Sequence, residues 1–163
     1  MNAREAIKNA VQGADMICKM YLEDLTDADL LVRPVPGANH IAWQLGHLIV
    51  SENNLVDSAF PGSMPALPTG FAEKHNNDTA TSDDAAAFSS KAEYLKLLDE
   101  QRAGTLATLG RVSDADLDKP GPEKYRNFMP KVADVFTIQG NHWLMHAGQW
   151  AVVRRKLGRK PLF

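Results

Sequence analysis

The sequence predicts an all-α fold, a four-helix bundle, on three observations. Four long segments repeat apolar residues at intervals of three and four. No segment alternates apolar and polar residues for long enough to make a strand. The breaks between the segments carry proline, glycine and capping residues.

The first helix spans about Ala3 to Leu25, with Ile7, Ala10, Ala14, Ile17, Cys18, Tyr21 and Leu25 forming one stripe. Thr26-Asp27-Ala28-Asp29 reads as a cap on a short helical turn, and Pro34, Pro36 and Gly37 then break the chain. The second helix starts near Asn39, a good N-cap, and runs to about Ala59 before Pro61-Gly62. Its stripe is Ile41, Leu45, Leu48, Leu55 and Ala59, flanked by Ile49 and Val56. Residues 60–89 are rich in Pro, Gly, Asn, Asp and Ser and read as a long surface connection with a weak turn near 83–88.

Ser90-Lys91-Ala92-Glu93 is a capping box that opens the third helix. That helix continues through Leu95, Leu98, Leu106 and Leu109, with Gly110 as its C′ residue. Residues 113–127 form a second polar connection, broken by Pro120, Gly121 and Pro122. The fourth helix follows Pro130 and runs to about Leu157, where Gly158 stops it. No internal repeat or low-complexity tract is expected. The roughly 30-residue link between helices two and three, at up to ~3.3 Å per residue, can recross a helix some ~30 Å long. An up-down-down-up order is therefore expected.

The chain has 163 residues, and at about 150 residues per domain it reads as one domain over 1–163. Apolar residues make up 44% and charged residues 23%, which excludes disordered and fibrous classes. With 18 basic and 20 acidic residues the net charge is −2, so nucleic acid and anionic membranes are not expected partners. The basic run Arg154, Arg155, Lys156, Arg159 and Lys160 sits where cations complement a helix dipole. Arg4, Glu5, Lys8 and Asp15 interrupt any secretory apolar segment, and no stretch approaches the ~18 apolar residues of a membrane span. The one cysteine, Cys18, cannot form an intrachain disulfide, which suggests a reducing, cytoplasmic setting. Its place in an apolar stripe makes it a small buried hydrophobe rather than a nucleophile.

The chemistry concentrates in the fourth helix. His142 and His146 are four residues apart and share one face with Val135, Gln139, Gln149 and Val153. That face should be buried, and its middle is polar. Unpartnered polar groups there would be costly, and one metal ion would partner both imidazoles. Hydrogen-bonded core histidines are the alternative reading of this pair. A third ligand must come from elsewhere. His47 lies about 100° to one flank of the second helix's stripe, beside His40, Gln44 and Ser51. If the fourth helix packs on that flank, His47 meets the pair. His40 reads as a solvated helix-start residue, and His75 is set aside because it falls in a polar connection. Trp43, Trp143 and Trp150 suit an aromatic core, a pocket or an oligomer face. Glu52 and Arg102 sit at the centres of apolar stripes in helices two and three, so they are expected to pair across the bundle.

Two motifs resemble the DinB/YfiT-like superfamily of metal-dependent four-helix-bundle proteins. One is Ile41-Ala42-Trp43-Gln44-Leu45-Gly46-His47-Leu48 followed by Ser51-Glu52. The other is His142-x-x-x-His146-x-Gly148-Gln149 followed by Arg154-Arg155-Lys156-Leu157-Gly158. The resemblance implies a three-histidine site that maps onto His47, His142 and His146, holding nickel or zinc with open positions. Characterised relatives include thiol-dependent transferases and a mycothiol-dependent isomerase. The expectation is therefore a metal-dependent enzyme acting on a small-molecule substrate with a low-molecular-weight thiol as cosubstrate. A soft thiolate suits such a cation. A non-catalytic metal-binding bundle is the alternative, and a homodimer is a candidate assembly. No general base is identified.

Overall fold

The computed structural model describes every residue, Met1–Phe163. It is all-helical: α1 (Ala3–Leu22), α2 (Asp27–Leu30), α3 (Ile41–Ala59), α4 (Lys91–Arg111), α5 (Asp114–Leu117) and α6 (Val132–Lys156), with short 3₁₀ turns in the connections. The four long helices are the four read from the sequence. No helix is long and apolar enough to cross a membrane.

Their relative directions follow from specific contacts. Arg4 donates to the carbonyls of Gly110 and Val112, while the Lys91 ammonium donates to those of Leu22, Glu23 and Leu25. So α1 and α4 run in opposite directions, and Lys91 places a cation on the carbonyl end of α1. α1 and α6 run together. A Cβ at Gly140 would lie 3.4 Å from the Ala14 Cβ, and further on Arg154 donates to the Tyr21 carbonyl. Small residues let this pair of backbones approach closely. α3 and α6 are antiparallel: Gln44 meets Gln149 and Trp150, and Glu52 meets Trp143. α3 and α4 run the same way, with Ala42 near Ser90 and Glu52 on Thr105.

Two apolar clusters fill the interior. The larger gathers Cys18, Leu22, Leu45, Leu48, Tyr94, Trp143 and Trp150. The smaller, toward the far end, gathers Val56, Leu109, Leu117, Met129, Val135 and Phe136. Trp143 and Trp150 are fully buried, which makes them core aromatics, with rings edge to face.

Several local expectations are corrected. α1 ends at Leu22 rather than Leu25, and its buried line is Val11, Ala14, Cys18 and Leu22, so Ala10 lies outside it. The N-cap of α3 is His40, not Asn39. The His40 ring is buried; its Nδ1 accepts from the Trp43 N–H at 3.1 Å and its Nε2 faces the Ser82 carbonyl at 3.1 Å. A solvated His40 is therefore wrong. Gly110 lies inside α4, which continues to Arg111. Residues 60–89 are not merely a surface link, because Phe71 and His75 are buried. The expectation of no repeat misses a short one. Asp-Ala-Asp-Leu occurs at 27–30 and 114–117, each after a Ser or Thr that completes a capping box, and the second copy makes α5.

Candidate metal centre

The site lies where the first half of α3 crosses the middle of α6. Side chains four apart on α6 stack on one face, so His142 and His146 stand side by side with ring centroids 5.0 Å apart. His47 projects from α3 toward both, 5.3 Å from His142 and 5.7 Å from His146 between centroids. One ring nitrogen from each lies within 4.8 Å of the others. The structure thus brings the three predicted histidines together. His40 and His75 stand outside the group.

This donor set fits a divalent cation. Two nitrogens at ~2.1 Å from one ion lie at most roughly 4.2 Å apart, so small side-chain rotations close the cluster. The rings are also unprotonated at neutral pH. Burial pulls His142 down to about 4, helped by the nearby His47, and pulls His146 to about 4, helped by both neighbours. Burial holds His47 below the ordinary histidine value as well. Lone pairs are therefore available for a metal without prior loss of a proton.

Neighbouring side chains fix the rings. Trp43 stacks flat on His47, with centroids 5.0 Å apart and planes 7° from parallel. Gln44 is fully buried and orients His146. Its Oε1 accepts from the Trp150 indole N–H at 2.8 Å, which identifies that atom as the oxygen. The His146 Nδ1, 3.0 Å from the same oxygen, must then be the donor. That tautomer leaves the lone pair on His146 Nε2, and such outer partners are how proteins aim metal-binding imidazoles. The Gln44 amide nitrogen donates to the Asn39 carbonyl and to Gln149 Oε1. Gln139, on the same face, donates to its own helix at the Val135 carbonyl.

Beyond the histidines the cluster opens onto a cavity of about 400 Å³. His47 and His142 line it and His146 does not, so the ring held by Gln44 stands back from the cavity. Glu52 and Arg102 pair across α3 and α4 as their stripes predict, with 3.1 Å between Nη2 and Oε2. The Glu52 carboxylate also accepts from Thr105 Oγ1 at 2.7 Å and from Trp143 Nε1 at 3.1 Å. Burial raises its pKa against the pull of Arg102. Removing one partner of such a pair costs about 3–5 kcal/mol. Cys18 is buried and its thiol is pushed up to about 12, consistent with an inert core residue. Two members of the basic run, Arg154 and Arg159, are ion-paired with Asp24 and Asp29.

Sequence reading overlooked Gln44 as the residue that holds His146, and Gly46 and His75 as a packed pair. A Cβ at Gly46 would lie 2.0 Å from His75 Cδ2, so only glycine admits that ring. Gln44 could have been found from its position: a long amide on the His47 flank needs a buried partner.

No curated protein matches the chain. A solved crystal structure of a conserved protein from Enterococcus faecalis superposes with a TM-score of 0.67. The overlap covers 98% of this chain and 99% of that one at 16% identity, which shows a shared fold. The family model described as the DinB superfamily matches residues 16–150, a span that holds all three clustered histidines and the glutamine that aims one of them, and the chain belongs to that superfamily.

Proposed function

We propose that this protein is a metal-dependent enzyme whose His47, His142 and His146 hold one nickel or zinc ion, and that it joins a low-molecular-weight thiol to a small electrophile or isomerises such an adduct. The observation that carries the reading is the convergence of three unprotonated imidazoles, two of which, His47 and His142, line an open cavity. A structural metal site is closed, whereas a catalytic one keeps access for substrate.

A divalent cation there supplies Lewis acidity, stabilising negative charge on a nearby sulfur or oxygen atom. Three neutral ligands leave that charge undiminished. The chain's own residues do the rest. Gln44 fixes the His146 tautomer and Trp43 holds the plane of His47, so the donor atoms need little reorganisation. The cavity beside His47 and His142 receives the reactants and limits the water around them. In the transfer, the thiol S–H bond breaks and its proton passes to solvent, a carbon–sulfur bond forms at the electrophile, and the electron pair displaced there departs with the leaving group or, where a double bond opens, is protonated from solvent. The reading also places the protein in the cytoplasm, without nucleic acid as a partner. The exposed Leu144, Met145 and Val152 on α6 offer a face for a second copy.

Metal analysis of untagged protein purified without added metal tests the site. About one ion per chain is expected, lost on alanine substitution of any of the three histidines. No bound ion in folded protein overturns the reading. Full metal content with no turnover across a panel of thiols and electrophiles favours a non-catalytic metal-binding bundle.

A further inference from the structure

The cavity beside the histidines has an unusual lining. α3 contributes Val50, Ser51, Asn54 and Leu55 beside His47. α6 contributes Ile138 beside His142, and the connection between α5 and α6 contributes Tyr125 and Phe128. No lysine, arginine, aspartate or glutamate lines it. Lys124, on the same connection, lies over the Tyr125 ring, 5.1 Å from its centroid, and stays outside the lining.

Two features of this lining bear on the ligand. Phe128 is 61% exposed although it is a large aromatic, and it meets the Tyr125 ring edge to face at 6.0 Å. An aromatic pair standing open at a cavity mouth gains from being covered by apolar surface. The hydrogen-bonding groups other than the imidazoles are the Ser51 hydroxyl and the Asn54 amide, one turn apart on α3, and the Tyr125 hydroxyl. They can read one polar group but cannot balance a full charge. In the metal-free chain a carboxylate entering this space would give up hydration without gaining a cationic side-chain partner from the lining.

We infer that the side chains of this cavity bind an uncharged, mainly apolar molecule, an arene or branched-alkyl body carrying a single hydrogen-bonding group, and that without metal they disfavour the anionic counterpart. The inference rests on reading the histidine cluster as an active site, and it names the class of molecule that site takes. Ser51 and Asn54 meet the polar group, while Phe128, Ile138 and Leu55 enclose the body.

The test uses 2-naphthylmethanol and its charged congener 6-(hydroxymethyl)-2-naphthoate. Each is titrated into full-length metal-free protein and into nickel-loaded protein, followed by backbone amide shifts. In the metal-free protein the neutral probe should bind with shifts centred on Val50, Asn54 and Phe128, at least about tenfold tighter than the carboxylate, and loaded metal should narrow that gap. Phe128→Ala, at an exposed position, should weaken the neutral probe about fivefold while metal content stays unchanged. Asn54→Lys should bring in the missing cation and favour the carboxylate. Equal or tighter binding of the carboxylate by the unaltered metal-free chain overturns the inference. So does failure of the neutral probe to bind, shifts centred elsewhere, or an unchanged preference in Asn54→Lys. The metal-free arm reads the cavity alone and metal analysis reads the cluster alone, so failure of one is distinguishable from failure of the other.

Discussion

All five histidines of this chain are at least partly buried, yet they divide into two kinds. His40 and His75 have both ring nitrogens engaged. His40 caps α3 and faces Ser82, and His75 lies between the Phe71 carbonyl and the Tyr94 hydroxyl, 2.8 Å from each. In the other group only His146 Nδ1 has a partner, and one nitrogen from each of His47, His142 and His146 converges on the other two. Burial lowers the pKa of every ring. The difference lies in satisfaction. A ring with both nitrogens bonded is part of the scaffold, whereas neighbouring rings with free lone pairs await a common partner.

The two kinds behave alike toward acid, and this is the largest effect expected. Above about pH 6.5 the rings are neutral in both folded and unfolded chains, so stability is flat. As pH falls from there toward about 4, the unfolded chain binds protons that the folded chain refuses, and stability is lost. The urea midpoint of metal-free protein should therefore fall steadily across that window. A midpoint unchanged between pH 7 and 5 would show that the rings are not held neutral. Bound metal should raise the midpoint at pH 7 and lose that advantage in acid, because protons compete for the same nitrogens.

Substitution then separates the kinds. His142→Ala should cost on the order of 4 kcal/mol in metal affinity, roughly a third of the ~10–16 kcal/mol of a structural zinc site. The apo fold should change little, because a half-buried ring without a hydrogen-bond partner is removed. Equilibrium dialysis against a competing chelator, paired with urea unfolding, measures both. Gly46→Ala should do the opposite. The new methyl collides with a His75 ring held at both nitrogens, so about 3 kcal/mol of stability should go. The protein that remains folded should keep its metal. Equal loss of metal from both variants would erase the distinction.

How much of this was legible differs by residue for physical reasons. The long helices repeat over many turns, so α1, α3, α4 and α6 announce themselves despite end errors of one to three residues at α1, α3 and α4. The triad was readable because His142 and His146 share a helical face and His47 lies at a computable angle on another helix. Glu52 and Arg102 were readable because a charge in an apolar stripe demands a partner. His75 was not, since an irregular connection has no period to show which side faces inward. α5 was hidden because a single capped turn among prolines resembles any loop. Gly46 gave no signal of its own, because the ring lying against it comes from that same irregular connection.

Gln44 joins the scaffold to the site, and its loss should be intermediate. Gln44→Leu removes the acceptor that fixes His146 and leaves the Trp150 N–H without a partner. Metal affinity should drop 10–100-fold, about 1.4–2.7 kcal/mol, as for other outer-shell partners. Gln44→Glu keeps an acceptor and should recover much of that loss. If the leucine variant binds metal as tightly as the parent, His146 is aimed by packing alone.

The smallest effect should come from His40→Asn, and it tests the scaffold kind most directly. Asparagine is itself a good N-cap, so its side-chain oxygen can take over the bond from the Trp43 N–H. What is lost is the contact with the Ser82 carbonyl and part of the edge-to-face packing on Phe88. About 1 kcal/mol of stability is expected to go. Metal content should not change, because no His40 nitrogen points into the cluster. A histidine that serves only as a cap is thus replaceable by another capping residue. At His142 the same asparagine offers no imidazole nitrogen at the required reach and should release the ion. If His40→Asn also released it, the division between bonded and unbonded rings would have to be redrawn to include the start of α3 in the site.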